Sequence, residues 1–372
     1  SLPYCPHILD NPVYEYCLVN NLEFKPQQLY MTFDFEIMEQ IVNESITKAT
    51  TINSRLIPLS VSCCIKSLKG LVTKHFDARD KLFIPKWIDF MFKQSKTIVE
   101  DKYKSYREML HIESNEQINE IVRDIKTVTV FGFNSSRFDS NLFKEYFNHS
   151  HWRVNNNSMI GTATSFKQFI LISNKTTTQL RFIDAQAFVV GGTLKQFGKD
   201  FGQTFILDLN GNVRGSIDNS NKGVFPYEAI NSDNFDEILS KTEPFKYEDF
   251  YSSLTQKNLI SNEEYEAYLE DMKRFKNRWE YLLSYNENDV EMMIKPIDNL
   301  IILNAEFNVD LISNLSLSKN AACIKYALAY KDFNPNIDYD VTNHSNTFKP
   351  TRRWWEYKCH CYYIQDDKFN KQ

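Results

Sequence analysis

The sequence predicts an α/β fold in which a mixed sheet is flanked by helices. Strand-like segments come first, strands and helices then alternate, and the last part is helical, which is the element order of that fold class. With 372 residues, 42% of them hydrophobic, the chain can bury a substantial core. We expect an irregular lead-in over residues 1–27, one domain over residues 28–332, and a linker with the start of a further unit over residues 333–372.

The first strands are predicted from runs and alternation of apolar residues. Leu29–Ile37 is one extended apolar run around Asp34, and Leu56–Ile65 alternates with a period of two. Between them, residues 40–55 are polar and rich in Thr and Asn, which predicts a hairpin loop. Leu71–Phe76 predicts a third strand.

The middle of the chain predicts alternating elements. Residues 85–126 have helical periodicity, and Thr127–Phe133 is a β-branched and aromatic run typical of a buried strand. Thr162–Ser173 and Thr178–Phe188 predict two paired strands. Two glycines then precede Leu194–Phe201, which predicts a short helix.

The last third is predicted to be mainly helical. Residues 207–221 are rich in Asn, Gly and Asp and predict a loop. Ser261 and Glu264 have capping-box form, which predicts the start of a long helix that runs through Asp289. A further helical stretch is predicted near Asn320–Tyr330.

The composition excludes some function classes. Lys and Arg number 43 against 48 Asp and Glu, and the resulting net charge of −5 argues against a polybasic nucleic-acid binder. A nucleic-acid enzyme is compatible with this balance, because a carboxylate-lined metal site is itself acidic. No segment approaches the roughly 18 apolar residues of a membrane helix.

The seven cysteines are scattered and odd in number, which predicts a reducing, intracellular environment. Cys359-His360-Cys361 has two interpretations, a fragment of a zinc site or free thiols. Free thiols are favoured, because no second pair of ligands follows.

Asp34 and Glu36 are the first candidates for chemistry. Residues i and i+2 of a strand point to the same face, so two carboxylates project together from an otherwise apolar strand. They repel each other and resist burial unless a cation lies between them, and Mg²⁺ and Mn²⁺ prefer carboxylate oxygens. For the tripeptide alone, a solvated surface pair is the alternative interpretation.

The second motif, Asn134-x-x-x-Phe138-Asp139, lies between a predicted strand and a predicted helix. Alone, Asp139 is best interpreted as a helix N-terminal residue, because that position favours Asp. Phe138 adds a flat apolar surface for stacking on a terminal base. Asn134 adds an amide for hydrogen bonds to a base or sugar.

In the third motif, Tyr285 and Asp289 are four residues apart and therefore neighbours on one helix face. The alternative is an amphipathic helix with the tyrosine in the core and the aspartate in solvent. Against it, Val290 and Met293 mark the buried stripe, and Asp289 borders that stripe.

Together the motifs supply four carboxylates, which can hold two divalent ions roughly 4 Å apart. One ion would activate water and the other would stabilise the leaving oxygen of a phosphodiester, while Tyr285 orients the water. We therefore predict a two-metal nuclease site formed by Asp34, Glu36, Asp139 and Asp289.

These motifs resemble the exonuclease motifs of family B DNA polymerases, in the DEDDy 3′–5′ exonuclease superfamily. Their spacing is similar to that of the protein-primed branch, which includes viral, linear-plasmid, organellar and Polinton-like enzymes. Two shorter elements agree with this. Thr193–Phe197 resembles the branch's Ser/Thr-Leu-x-x-hydrophobic element, and Lys222–Phe225 resembles its Lys-x-x-hydrophobic element.

The resemblance implies an RNase H-like exonuclease domain that uses two divalent ions, Mg²⁺ or Mn²⁺. It implies that Asp34 bridges both ions, that Glu36 and Asp289 complete the water-activating site, and that Asp139 binds the second ion largely through water. The residues implied to place the 3′ terminus of the DNA are Asn134, Phe138, Thr193 and Leu194. Lys222 is implied to neutralise charge near the scissile phosphate.

The resemblance also implies the biological setting. The activity would be proofreading hydrolysis of the 3′ end of single-stranded DNA during replication. The partners would be that DNA, a terminal protein primer and a polymerase domain, and the location would follow a virus, plasmid, transposon or organelle.

The chain departs from the branch in two ways. Phe133 stands where the branch often has a His, which implies that one DNA contact is lost or changed. The palm signatures of a polymerase are absent, so we expect the amino-terminal portion of a polymerase or a nuclease module separate from one. The alternatives are a stand-alone DEDD exonuclease, a nuclease-inactive module that binds DNA or terminal protein, and a metal-free α/β scaffold.

Overall fold

The structure is a computed structural model, and it describes residues 11–47, 50–207, 213–217 and 223–329. Three predicted features lie outside the described residues: Lys222, the Cys359-His360-Cys361 tripeptide and the linker over residues 333–372.

The described residues fall into two compact units. The first comprises residues 11–27, 103–125 and 300–329, and the second comprises the described residues within 28–102 and 126–299. The domain boundaries predicted after residues 27 and 332 stay predictions.

The described part of the chain contains twelve strands, some of them very short. They are β1 (Tyr30–Thr47), β2 (Thr50–Ser67), β3 (Gly70–Asp77), β4 (Thr127–Gly132), β5 (Trp152–Val154), β6 (Ile160–Thr162), β7 (Ser165–Ser173), β8 (Gln179–Asp184), β9 (Thr204–Leu207), β10 (Val213–Ile217), β11 (Tyr251–Ser252) and β12 (Lys257–Asn258).

Ten α-helices accompany these strands in the described residues. They are α1 (Pro12–Val19), α2 (Phe83–Leu110), α3 (Asn115–Ile121), α4 (Asp139–Leu142), α5 (Leu194–Phe201), α6 (Phe235–Ser240), α7 (Asn262–Met272), α8 (Arg278–Met292), α9 (Ile294–Ala305) and α10 (Leu317–Ala329). None of these helices combines the length and the hydropathy that a membrane-spanning helix needs.

The second unit is built on a mixed sheet with the strand order β3-β2-β1-β4-β8-β7-β5, and β6 pairs with β7. The central strands β1, β4 and β8 are parallel, and the outer strands pair antiparallel with their neighbours. The predicted fold class is therefore confirmed: the chain has an α/β fold with an eight-stranded mixed sheet flanked by helices, compatible with an RNase H-like exonuclease fold. The carboxyl ends of β1, β4 and β8 share one edge of the sheet, where α/β sheets place their sites.

One face of β1 forms the aromatic core of this unit. Phe33 is fully buried, and its ring centroid lies 5.6 Å from that of Trp87 and 5.5 Å from that of Phe182. Phe35, two residues on, contacts Trp87 at 5.2 Å and stacks on Phe143 at 5.6 Å. Successive odd-numbered residues of the strand thus point away from Asp34 and Glu36.

The other face of β1 packs against α8 and the start of α9. The Thr32 hydroxyl donates to the Val290 carbonyl at 2.7 Å, and the Tyr30 hydroxyl lies 2.9 Å from the Ile294 carbonyl oxygen. Asp298 accepts from Tyr30 at 2.9 Å and pairs with Lys66 of β2. These contacts hold the helix against the strand at several points along its length.

The predicted irregular lead-in is wrong for part of residues 1–27, because α1 lies within it. Asn11 caps this helix by accepting from the Tyr14 amide at 3.1 Å, and Pro12 occupies its first position. A proline at that position loses no hydrogen bond, so it starts a helix there and does not break one.

Both predicted loops, at residues 40–55 and 207–221, contain strands. β1 extends to Thr47 and β2 begins at Thr50, so the two strands form one long hairpin with three register shifts. In the second predicted loop, β9 pairs with β10. Cross-strand pairing stabilises these polar segments, and a single segment's composition does not show that pairing.

The long helix predicted from Ser261 is two helices. Ser261 caps α7 as predicted, with the Glu264 amide donating to its hydroxyl at 3.1 Å, but α7 ends at Met272. Asn277 then caps α8, and the buried Arg278 guanidinium donates to the carbonyls of residues 238, 243 and 244. This guanidinium therefore ties the start of α8 to the segment around residues 238–244.

Phe33→Ala is expected to lower the free energy of unfolding by about 3–5 kcal/mol, because it leaves a cavity among four aromatic rings. Urea denaturation followed by circular dichroism measures this change. Leu71→Ala is the control, since Leu71 is half exposed on β3, and it is expected to stay within about 0.5 kcal/mol of the parent. Equal losses in both variants would contradict the central role of this core.

Candidate metal centre

Three carboxylates from distant parts of the sequence meet beside β1. Asp34, Glu36 and Asp289 each offer an oxygen, and these oxygens all lie within 4.8 Å of one another. Glu36 and Asp289 are buried and Asp34 is half-buried. Like charges this close raise the free energy of the folded state unless hydrogen bonds or a cation offset the repulsion.

The strand and the helix each present their acids through regular geometry. Asp34 and Glu36 are two residues apart on β1 and pair with Ser62 and Ser60 of β2. On α8, Tyr285 and Asp289 are one turn apart on the face that covers the strand, and both are buried. Asp34 and Glu36 therefore share one face of β1, and Tyr285 and Asp289 share one face of α8, as their spacing predicted.

Glu36 is held by hydrogen bonds at both carboxylate oxygens. The Tyr227 hydroxyl donates to its Oε2 at 2.6 Å, and Asn286 Nδ2 lies 3.4 Å from its Oε1. The same Nδ2 donates to the Asp34 carbonyl at 3.2 Å. The strand's two acidic residues are thus tied to α8 and to the segment around residue 227.

Tyr227 is a site residue that the sequence prediction missed. Its hydroxyl lies 3.2 Å from that of Tyr285. In that contact either hydroxyl can be the donor, and the Tyr285 oxygen has lone pairs that can accept a hydrogen bond. No local pattern distinguishes Tyr227 among the 20 tyrosines of the chain.

Burial and the surrounding acids keep both tyrosines neutral. Desolvation, followed by the charges of Asp289 and Glu36, raises the pKa of Tyr285 well above its usual value. Desolvation and the Glu36 carboxylate raise the pKa of Tyr227 in the same direction. Both hydroxyls can therefore act as hydrogen-bond partners throughout the physiological range.

Asp139 is the fourth predicted ligand, and the structure does not include it in the group of three within 4.8 Å. It is the first residue of α4 and is buried. The loop before it leaves the end of β4, next to β1 in the sheet. Its predicted role as a ligand of a second ion stays a prediction.

The predicted DNA-contacting residues lie in the segments that follow the central strands. Asn134 is exposed and has a φ of 57°, a conformation that Asn tolerates better than most residues. Phe138 is half-buried, and no ring contact among the described aromatic residues involves it. Thr193 caps α5 by accepting from the Gln196 amide at 3.2 Å, and Leu194 is buried.

Phe133, which precedes Asn134, is buried and packs its ring 5.3 Å from that of Phe197. It thereby connects the segment after β4 to α5. Lys222 is outside the described residues, but the segment directly after it packs on α8. A Cβ at Gly223 would lie 3.3 Å from the Tyr285 ring, and the Tyr281 hydroxyl donates to the Val224 carbonyl at 2.8 Å.

Comparisons with known proteins add little to this geometry. No protein-family model matches the chain, and no curated protein matches it either. Among solved structures, phi29 DNA polymerase in a ternary complex with primer-template DNA and incoming nucleotide matches with a TM-score of 0.31 and 9% identity. The match covers 79% of this chain and 34% of that polymerase.

Tyr227→Phe is expected to flatten the loss of stability at alkaline pH. A tyrosine whose pKa is raised by folding keeps its proton above pH 10 while the unfolded chain loses it, so the free energy of unfolding falls as pH rises. One retained proton contributes up to about 1.4 kcal/mol per pH unit. Unfolding free energies of parent and variant from pH 8 to 11 isolate the Tyr227 contribution, and parallel profiles would contradict it.

Proposed function

We propose that the protein is a metal-dependent 3′–5′ exonuclease that acts on single-stranded DNA as the amino-terminal region of a protein-primed family B DNA polymerase. The observation that carries this proposal is the convergence of Asp34 and Glu36 on β1 with Asp289 on α8. These are the acids of the first and third exonuclease motifs. Three unrelated acids would have no reason to meet where two of them are buried and the third is half-buried.

The donor set fits a hard divalent cation. Within the described part of the chain, the group consists of carboxylate oxygens without thiolate or imidazole, and Mg²⁺ or Mn²⁺ prefers such a set over Zn²⁺. When bound, such ions supply Lewis-acid stabilisation of the phosphodiester and a water of lowered pKa. Asp34, Glu36 and Asp289 would hold them, with Asp139 contributing to a second position.

The chain's own residues would orient the reacting groups. The Tyr285 oxygen would accept a hydrogen bond from the attacking water and so direct the water's lone pair at phosphorus. Tyr227 would hold Glu36 in one rotamer. Neither tyrosine would move a proton, because both pKa values are raised.

The substrate end would be held by the segments after β4 and β8. Phe138 has a ring free of other described ring contacts for stacking on the terminal base. Asn134, Thr193 and Leu194 would contact the adjacent nucleotides, and Lys222 would offset charge at the scissile phosphate. The products would be nucleoside 5′-monophosphates, and a terminal protein would be the partner in priming.

Asp34→Ala is expected to reduce the Mn²⁺-dependent release of nucleotides from 3′-labelled single-stranded DNA by roughly 10³-fold or more, since several kcal/mol of transition-state stabilisation are lost. Asp271→Ala is the control, because Asp271 is an exposed acid on α7, and it should retain parental activity. An Asp34→Ala protein that degrades single strands at the parental rate would overturn the site assignment.

The same variant is expected to keep or raise the melting temperature without metal, because one of three mutually repelling carboxylates is gone. Differential scanning fluorimetry in EDTA measures this. A fall in melting temperature comparable to that of a core deletion would mean that Asp34 is structural.

Calorimetric titration with Mn²⁺ separates this proposal from an inactive binding module. The parent is expected to take up Mn²⁺, and Asp289→Asn to bind it more weakly, since that change removes one carboxylate from the donor set. Uptake that is absent, or equal in both proteins, would favour the inactive module.

A further inference from the structure

Asn286 is a buried amide at the centre of the acidic cluster. It is fully buried, follows Tyr285 and lies three residues before Asp289 on α8. Its amide contacts two strands of the sheet at once. A polar side chain in such a position is retained only where its hydrogen bonds are satisfied.

The hydrogen bonds fix which way the amide points. Ser60 of β2, itself fully buried, donates from its hydroxyl to Asn286 Oδ1 at 3.2 Å. Nδ2 is therefore the atom directed at β1, where it lies 3.2 Å from the Asp34 carbonyl oxygen and 3.4 Å from Glu36 Oε1. Ser60 is also the cross-strand partner of Glu36, so the three residues form one closed group.

We infer that Asn286, with Ser60, is a positioning residue that sets the separation between the two halves of the metal centre. Asp34 and Glu36 belong to β1 and Asp289 belongs to α8, and the Asn286 amide forms a polar bridge between those elements at the level of the acids. It touches neither the attacking water nor the scissile phosphate in this assignment. The inference rests on the proposed metal centre.

The Asn286 bridge acts on the orientation of the Glu36 carboxylate as well as on the separation between β1 and α8. Tyr227 holds one carboxylate oxygen at 2.6 Å, and Asn286 holds the other at longer range. Two donors at opposite oxygens stop the carboxylate from rotating towards the other acids when no cation is present. Groups that orient ligands in this way typically contribute about 10- to 100-fold to metal affinity.

The test uses Asn286→Leu, which removes the amide with little change in volume. With Mn²⁺ as the calorimetric probe, we expect the Kd for Mn²⁺ to rise by roughly 10- to 100-fold. We also expect the Mn²⁺ concentration that half-activates degradation of single-stranded DNA to rise in parallel, with much of the parental rate restored at saturating Mn²⁺. Asn304→Leu is the matched control, since Asn304 is another buried asparagine, donating to the Leu300 carbonyl at 2.8 Å within α9.

The control separates positioning from general destabilisation. Asn304→Leu should leave the Kd for Mn²⁺ unchanged, whatever its effect on the melting temperature. A parental Kd in Asn286→Leu would overturn the inference, and so would an equal rise in both variants in step with their melting temperatures.

Ser60→Ala keeps the test decisive if Asn286→Leu does not fold. It removes the bond that orients the amide, and we expect a rise of about 2- to 10-fold in the Kd for Mn²⁺, the factor that one hydrogen bond represents. Where both single variants fold, Ser60→Ala should add nothing in the Asn286→Leu background, because the two residues act through one bond. Fully additive increases in the Kd for Mn²⁺ would contradict a joint action of Ser60 and Asn286.

Failure of this inference and failure of the metal centre give different results. If Asp34→Ala abolishes Mn²⁺ uptake while Asn286→Leu leaves it at the parental level, only the positioning role is wrong. If Asp34→Ala leaves Mn²⁺ uptake unchanged, the metal centre itself is wrong. Mn²⁺ uptake that depends on Asp34 and Asn286 without degradation of DNA would refute the nuclease and leave the positioning role in place.

Discussion

The confinement of three carboxylates within 4.8 Å is the constraint on which the rest of the second unit depends. Each of these acids would be better solvated apart, so the fold must supply the free energy that holds them together. That free energy comes from packing α8 on β1, with Thr32 bonded to the Val290 carbonyl and the Asn286 amide bonded to β1. A divalent cation would reverse the sign of the interaction and turn a repulsive cluster into a cohesive one.

Strand β1 joins the core to the site because its side chains alternate. Phe33 and Phe35 anchor one face among aromatic rings, and Asp34 and Glu36 necessarily point to the opposite face. A shift of register by one residue would bury both acids in the aromatic core and place the phenylalanines against α8, so the register of β1 is strongly specified. The packing of the aromatic core thereby restricts the positions of the Asp34 and Glu36 carboxylates.

The apolar cluster around Phe225 determines the protonation state of Tyr227 and Tyr285. The Phe225 ring lies 5.3 Å from that of Tyr227 and 5.7 Å from that of Tyr285, and Gly223 allows the chain to approach the Tyr285 ring closely. Burial here keeps both hydroxyls protonated, and the Tyr227 hydroxyl donates to Glu36. The apolar residues behind the site thus determine the state of its polar groups.

Local sequence determined the strand around Asp34, the helix Leu194–Phe201 and the spacing that puts Tyr285 and Asp289 on one face, because these depend on periodicity and capping within a few residues. Only the tertiary structure decided that the acids of β1 and α8 meet, that Tyr227 and Asn286 hold Glu36, and that Asp139 lies outside the group of three. Such contacts join residues far apart in the chain, and their free energy comes from packing that no short segment encodes.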